Sequence, residues 1–112
     1  MVLLSNWNIL CWNVWGLNSD PKLLALSNAI SSSGCAVICL QETKKPSFDN
    51  VFLKSFCPRR FDKFAYIPSR GASGGILTIW NSAIFTGTVI IEEEFALVIK
   101  FKSSQPAKNG LL

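Results

Sequence analysis

The 112-residue chain contains no histidine, which removes the side chain most often used as a general base near neutral pH. Triads and dyads that run through an imidazole are excluded with it, as is any Cys/His zinc site. The four cysteines, Cys11, Cys35, Cys39 and Cys57, fall at no zinc-ligand spacing. Cys11 and Cys39 lie inside apolar runs, where a thiol behaves as a small hydrophobe. All four are expected as free thiols, buried or half-buried, in the reducing compartment of an intracellular protein. Charge is scarce at 16% of residues, against an average of about 25%. With 49% hydrophobic residues and a mean hydropathy of +0.31, that scarcity excludes a disordered tail.

Long unbroken apolar runs are also missing. Met1–Ser19, Leu23–Gln41 and Gly71–Ile91 carry no charge and have lengths that suggest a membrane span. Each is interrupted by Ser, Asn, Gly or Thr at intervals a hydrocarbon-spanning helix disfavours. The first lacks the basic flank and small-residue cleavage site of a secretory signal. A soluble protein without a membrane partner is expected. The length suits one domain. Eleven basic against seven acidic residues give a net charge of +4, which permits a phosphate-bearing partner without requiring one.

What is present reads as alternating α and β. Ile9–Trp12 is an apolar run ending at Asn13, the pattern of a strand buried on both faces. Asp20-Pro21 supplies a helix N-cap and first-turn proline, Leu23, Leu26 and Ile30 recur at helical spacing, and Gly34 is a C-terminal stop. A helix of about three turns follows. Ala36–Leu40 is a second buried run, ending in Gln41-Glu42-Thr43-Lys44-Lys45. The unit is strand, helix, strand, so the two strands are expected to run parallel as neighbours. Ser47–Cys57 reads as a helix after Pro46 and Phe61–Ile67 as a short strand. Ile76–Trp80 and Ile84–Ile91 read as strands joined by an Asn81-Ser82 hairpin turn. In the last strand Phe95, Leu97, Ile99 and Phe101 alternate with Ala96, Val98, Lys100 and Lys102. The domain is expected over residues 1–102, with an unstructured tail over 103–112.

Ligands of open α/β sheets bind at the carboxyl ends of parallel strands, and Asn13 and Glu42 both fall there. On neighbouring strands their side chains would lie about 5 to 10 Å apart, close enough to share a cation. Equally, two polar residues can simply mark where strands leave the core. Lys44 and Lys45 stand beside Glu42, where they can meet a phosphate. Arg59, Arg60, Lys63 and Arg70 interleave with Phe61, Phe64 and Tyr66, a composition that suits nucleic-acid contact and also suits core aromatics with solvated basic neighbours. Trp12 and Trp80 read as core.

Taken together, Ile9–Leu17, Ile38-Cys39-Leu40-Gln41-Glu42-Thr43-Lys44 and Ser73-Gly74-Gly75-Ile76 resemble the amino-terminal half of the endonuclease/exonuclease/phosphatase superfamily, from about Asn8 to Lys102. Gly16-Leu17-Asn18 and the Ser-Gly-Gly segment look most like the endonuclease domains of LINE-type retrotransposons, particularly those of plants. The resemblance implies part of a four-layer α/β/β/α sandwich, a mixed sheet with flanking helices. It implies that Asn13 and Glu42 are catalytic, that Glu42 coordinates Mg²⁺, that Asn13 helps hold the metal shell or the scissile phosphate, and that DNA is the partner; Lys44, beside Glu42, is expected to meet substrate. Trp15 stands where some relatives place an additional acidic residue. The family's later tyrosine, its Asp-x-Asn pair and its Ser-Asp-His do not occur in these residues, and Tyr66 lies too early to be that tyrosine. The expectation is a truncated, inactive fragment of a metal-dependent phosphodiesterase, with an uncovered apolar sheet face open to self-association. The alternatives are a non-catalytic remnant or interaction fragment, and a superfamily phosphatase acting on small phosphoesters.

Overall fold

The computed structural model describes residues 6–104. In chain order the elements are β1 (Asn8–Asn13), α1 (Asp20–Ser33), β2 (Cys35–Gln41), α2 (Asn50–Lys54), β3 (Lys63–Ile67), β4 (Ile76–Trp80), β5 (Phe85–Glu93) and β6 (Ala96–Ser103). The first four strands form one sheet in the order β1-β2-β4-β3, and β5 and β6 form a separate two-stranded ribbon. β1 and β2 are parallel neighbours, as the strand-helix-strand pattern requires, whereas β4 runs antiparallel to both β2 and β3. The sheet is therefore mixed and the class α/β.

Period-two alternation assigns the two faces of the sheet. Ile38 and Leu40 of β2, with Leu77 and Ile79 of β4, are fully buried in one cluster with Leu26 and Ile30 of α1 and Leu53 of α2. Each fully buried aliphatic side chain contributes about 1.5–3 kcal/mol, so this face is where α1 is held. Trp80 lies on the opposite face and makes an edge contact with Phe101 of β6, their ring centroids 5.3 Å apart. Helices, mixed sheet and ribbon thus stack as three successive layers. Among the described residues, no helix is long and apolar enough to cross a membrane.

Several local expectations are corrected. β1 is not buried on both faces: it is the edge strand, Ile9 is 60% exposed, and Leu10 and Trp12 are half-buried against the core. Cys11 is consequently exposed, although Cys35 and Cys57 are buried and all four thiols are free. The N-cap of α1 is Ser19 in extended backbone, which makes Asp20 the first helical residue, and the helix runs 14 residues to Gly34 at φ 61°. α2 is only five residues, because it starts where the Asp49 carboxylate accepts from Phe52 N at 2.8 Å. Asn81-Ser82 is not a hairpin. β4 and β5 belong to different sheets, and the turn there carries the chain from one layer to the next. It is held by Asp62, whose carboxylate accepts from Ser82 N at 2.9 Å and Ser82 Oγ at 2.5 Å.

The alternation in the last strand holds, with Leu97, Ile99 and Phe101 half-buried and Val98, Lys100 and Lys102 exposed. Phe95 stands in the β5–β6 turn and is 84% exposed. β6 continues through Ser103, and the expected tail from residue 105 onward lies outside the described residues. Phe61 is buried and Phe64 and Tyr66 pack on the core, so the aromatic members of the basic-aromatic segment are structural.

Candidate functional site

Beyond the ends of β1 and β2 the two chains stay paired. Val14 N donates to Gln41 O at 2.9 Å, Gly16 N to Glu42 O at 2.7 Å and Leu17 N to Thr43 O at 3.0 Å. On the other side, Thr43 N donates to Gly75 O at 3.2 Å and Lys44 N to Gly74 O at 2.9 Å. Residues 41–44 are therefore gripped between the 14–17 loop and the Gly74-Gly75 turn. Burial of Val14, Leu17 and Thr43 at 1% exposure or less anchors this grip to the core.

The close approach explains the second glycine. A Cβ on Gly75 would stand 2.2 Å from Thr43 Oγ1 and 3.3 Å from Lys44 N, and its φ is +97°. The first glycine has a different task, since Gly74 N donates to Glu42 Oε2 at 3.3 Å. The Glu42 carboxylate is thus aimed by the neighbouring turn.

The backbone here departs from ordinary conformations. Trp15, Glu42 and Lys44 take φ values of 55°, 55° and 58°, in the left-handed region that non-glycine residues seldom occupy. Such residues persist only where the surroundings over-determine them, as the hydrogen bonds on both sides of this segment do.

An open cleft of about 170 Å³ lies at the strand ends, lined by Asn13, Gln41, Glu42, Gly74, Glu94 and Phe95 among others. The structure thus brings Asn13 and Glu42 together, because Asn13 pairs in register with Gln41, the residue before Glu42. Lys44 is not among the lining residues. Its ammonium lies over the Trp15 ring, 4.6 Å from the centroid. Lys45 likewise sits over Phe52 at 4.3 Å. Sequence reasoning missed Glu94, and it read Arg70 only as one of four basic residues interleaved with aromatics. The β5–β6 turn brings Glu94 over the cleft, where it pairs with Arg70 at 3.3 Å. The only signal was three consecutive glutamates, Glu92–Glu94, in a poorly charged chain, and a charge run is ordinarily a solvated face.

Asn13, Gln41, Glu42 and Glu94 present oxygen atoms, the hard donors that suit Mg²⁺ or Mn²⁺ rather than a thiophilic ion. Among the described residues, no group of three or more His, Cys, Asp and Glu is clustered to hold a metal. The donor set fits a hard divalent cation in kind, and in number it leaves room for water and substrate oxygens.

The mixed α/β sheet thus carries a glycine-backed carboxylate and an amide at the carboxyl ends of its parallel pair. The chain matches the Endonuclease/Exonuclease/phosphatase family over residues 10–99 and belongs to it. Members of that family generally depend on a divalent metal and generally act on nucleic acids. No curated protein matches the chain in sequence.

Proposed function

We propose that this chain carries the metal-holding edge of a Mg²⁺-dependent DNA phosphodiesterase of the LINE-retrotransposon endonuclease type. The observation that supports it most is the Glu42 carboxylate, aimed into a cleft beside Asn13 by the Gly74 amide. In this reading Glu42 is the principal ligand, Asn13 completes the shell or orients the scissile phosphate, and Lys44 leaves Trp15 to meet a phosphate of the DNA. A bound Mg²⁺ would supply charge neutralisation on the phosphoryl oxygens and a lowered pKa for an attacking water. Glu42, fixed by its backbone and by Gly74, orders its ligand oxygen in advance and so reduces reorganisation on binding.

The same reading makes the 112 residues inactive by themselves. They include no histidine, and of the two carboxylates that line the cleft Glu42 is taken by the metal in this reading and Glu94 by Arg70, leaving neither free to take the proton of an attacking water. Losing such a group lowers rates by about 10²–10⁴-fold. The test is a Mg²⁺ titration followed by NMR, run on wild type and Glu42→Gln, beside a plasmid-nicking assay. Expected are shifts centred on Asn13, Glu42 and Gly74 with millimolar or weaker affinity, about −4 kcal/mol or less favourable, and their loss in Glu42→Gln. Nicking should not exceed the Glu42→Ala level. Shifts that ignore Glu42 would remove the metal role, and robust Glu42-dependent nicking would overturn the inactivity.

A further inference from the structure

The sheet face that bears Asn13 and Gln41 also carries two cysteines that the candidate site does not use. Cys11 of β1 and Cys39 of β2 are direct partners in the parallel register. Their Cα atoms are therefore one strand spacing apart, about 4.8 Å, within the span of about 4.4–6.8 Å that a disulfide bridges. Both side chains leave the sheet on the face opposite Ile38 and Leu40, by the alternation of the strands. The two thiols are close enough to interact, and Thr78 is the register partner of Cys39 on the next strand.

Access separates this pair from the other two thiols. Cys11 is exposed on the edge strand and Cys39 is half-buried beside it, whereas Cys35 and Cys57 are 3% and 8% exposed within the core. An oxidant in solution meets Cys11 first.

We propose that Cys11 and Cys39 are an oxidisable cross-strand dithiol that hydroperoxides convert to a disulfide joining β1 to β2. The Cys11 sulfur attacks the terminal peroxide oxygen, the O–O bond breaks, and an alcohol, or water from hydrogen peroxide, departs. Cys11 is left as a sulfenic acid. The Cys39 sulfur then attacks the Cys11 sulfur, the S–S bond forms, the S–O bond breaks, and the departing hydroxide takes the Cys39 proton as water. Two thiols and one hydroperoxide give one disulfide, one alcohol and one water, and the peroxide gains the two electrons the thiols lose. The link closes one same-face position before Asn13 and Gln41, so it ties the edge strand of the cleft to its neighbour.

The experiment treats the chain with equimolar hydrogen peroxide, folded and in urea, then blocks free thiols and maps disulfides by non-reducing peptide mass spectrometry. The folded chain should lose two hydrogens in mass and yield the Cys11–Cys39 link as its main product. The urea-unfolded chain should instead follow loop length and favour Cys35–Cys39, the shortest loop. Cys11→Ser and Cys39→Ser should each abolish the folded-state link. Should Cys39→Ser fail to fold, Cys11→Ser, at an exposed position, carries the test. Identical link patterns in folded and unfolded chain, or Cys11 recovered only in intermolecular disulfides or as sulfinic acid, would overturn the proposal.

Discussion

Replacing Gly75 by alanine isolates the contact that positions the candidate site. Its effect divides into two parts. At φ +97° any L side chain carries the left-handed penalty, and the new Cβ meets Thr43 Oγ1 at 2.2 Å. Gly74 supplies the reference, since its φ is +78° and a Cβ there meets nothing within 4 Å. The conformational penalty is about 1–2 kcal/mol at each position, and the entropy alanine removes from the unfolded chain is common to both. Thr43 is fully buried and its backbone is hydrogen-bonded to Gly75, so the collision relaxes poorly and adds about 1–3 kcal/mol of overpacking. Gly75→Ala should therefore destabilise by about 2–5 kcal/mol and Gly74→Ala by about 1–2 kcal/mol.

Urea unfolding followed by tryptophan fluorescence measures both, with Trp80 buried and Trp12 half-buried as reporters. A double-mutant cycle sharpens the assignment: in a Thr43→Ala background the hydroxyl is gone and most of the difference between the two glycine variants should disappear. Equal effects of Gly74→Ala and Gly75→Ala, within about 0.5 kcal/mol, would refute the reasoning. So would a difference that survives Thr43→Ala.

Thr43 Oγ1 is buried without a hydrogen-bond partner, so Thr43→Val should stabilise by about 1 kcal/mol, read from the same urea transition. Burial, and then the neighbouring Cys35, pushes the Cys57 thiol up to about 12, and burial followed by Cys11 pushes Cys39 up to about 11. Both groups keep their protons in the folded chain after the unfolded chain has lost them, so stability should be full below about pH 9 and fall as pH rises through 11 to 12. Cys57→Ala should flatten that fall in a thermal-melt series against pH. The Ser82 hydroxyl and amide hold the Asp62 carboxyl below its ordinary range, so Asp62 stabilises above the ordinary aspartate range and loses that contribution as pH falls through its lowered value. Because the group is well exposed, Asp62→Ala should cost no more than about 1 kcal/mol at neutral pH and nothing at low pH, which an acid titration of the melting temperature checks.

The parallel β1–α1–β2 unit was legible because each cue in it is local: an apolar run, Asp20-Pro21, helical spacing of Leu26 and Ile30, and Gly34. What failed were inferences that depend on more distant parts of the chain. Ile9–Trp12 has the composition of a strand buried twice, yet its place at the sheet edge leaves Ile9 and Cys11 exposed. Asn81-Ser82 has good turn chemistry, yet turn residues do not say whether the following strand pairs back or crosses to another layer. The Asp62 carboxylate bonds the turn from 20 positions away, and no window along the sequence contains both partners.

The candidate site divides along the same line. Asn13 and Glu42 were placed at the strand ends because those ends are predictable from where apolar runs stop. Their support was invisible, because Trp15, Glu42 and Lys44 carry no sequence mark for a left-handed backbone, and glutamate, lysine and tryptophan are not residues that favour it. Residues held there cost about 1–3 kcal/mol each, and the chain meets that cost with backbone bonds from Gly16, Leu17, Gly74 and Gly75 and with the buried side chains of Val14, Leu17 and Thr43. A solvated strand end has no need of such support and would relax into ordinary backbone. Local preference and tertiary structure disagree at Glu42 within the same few residues that aim its carboxylate, and such a disagreement is expected where a side chain's position matters more than the stability of its backbone.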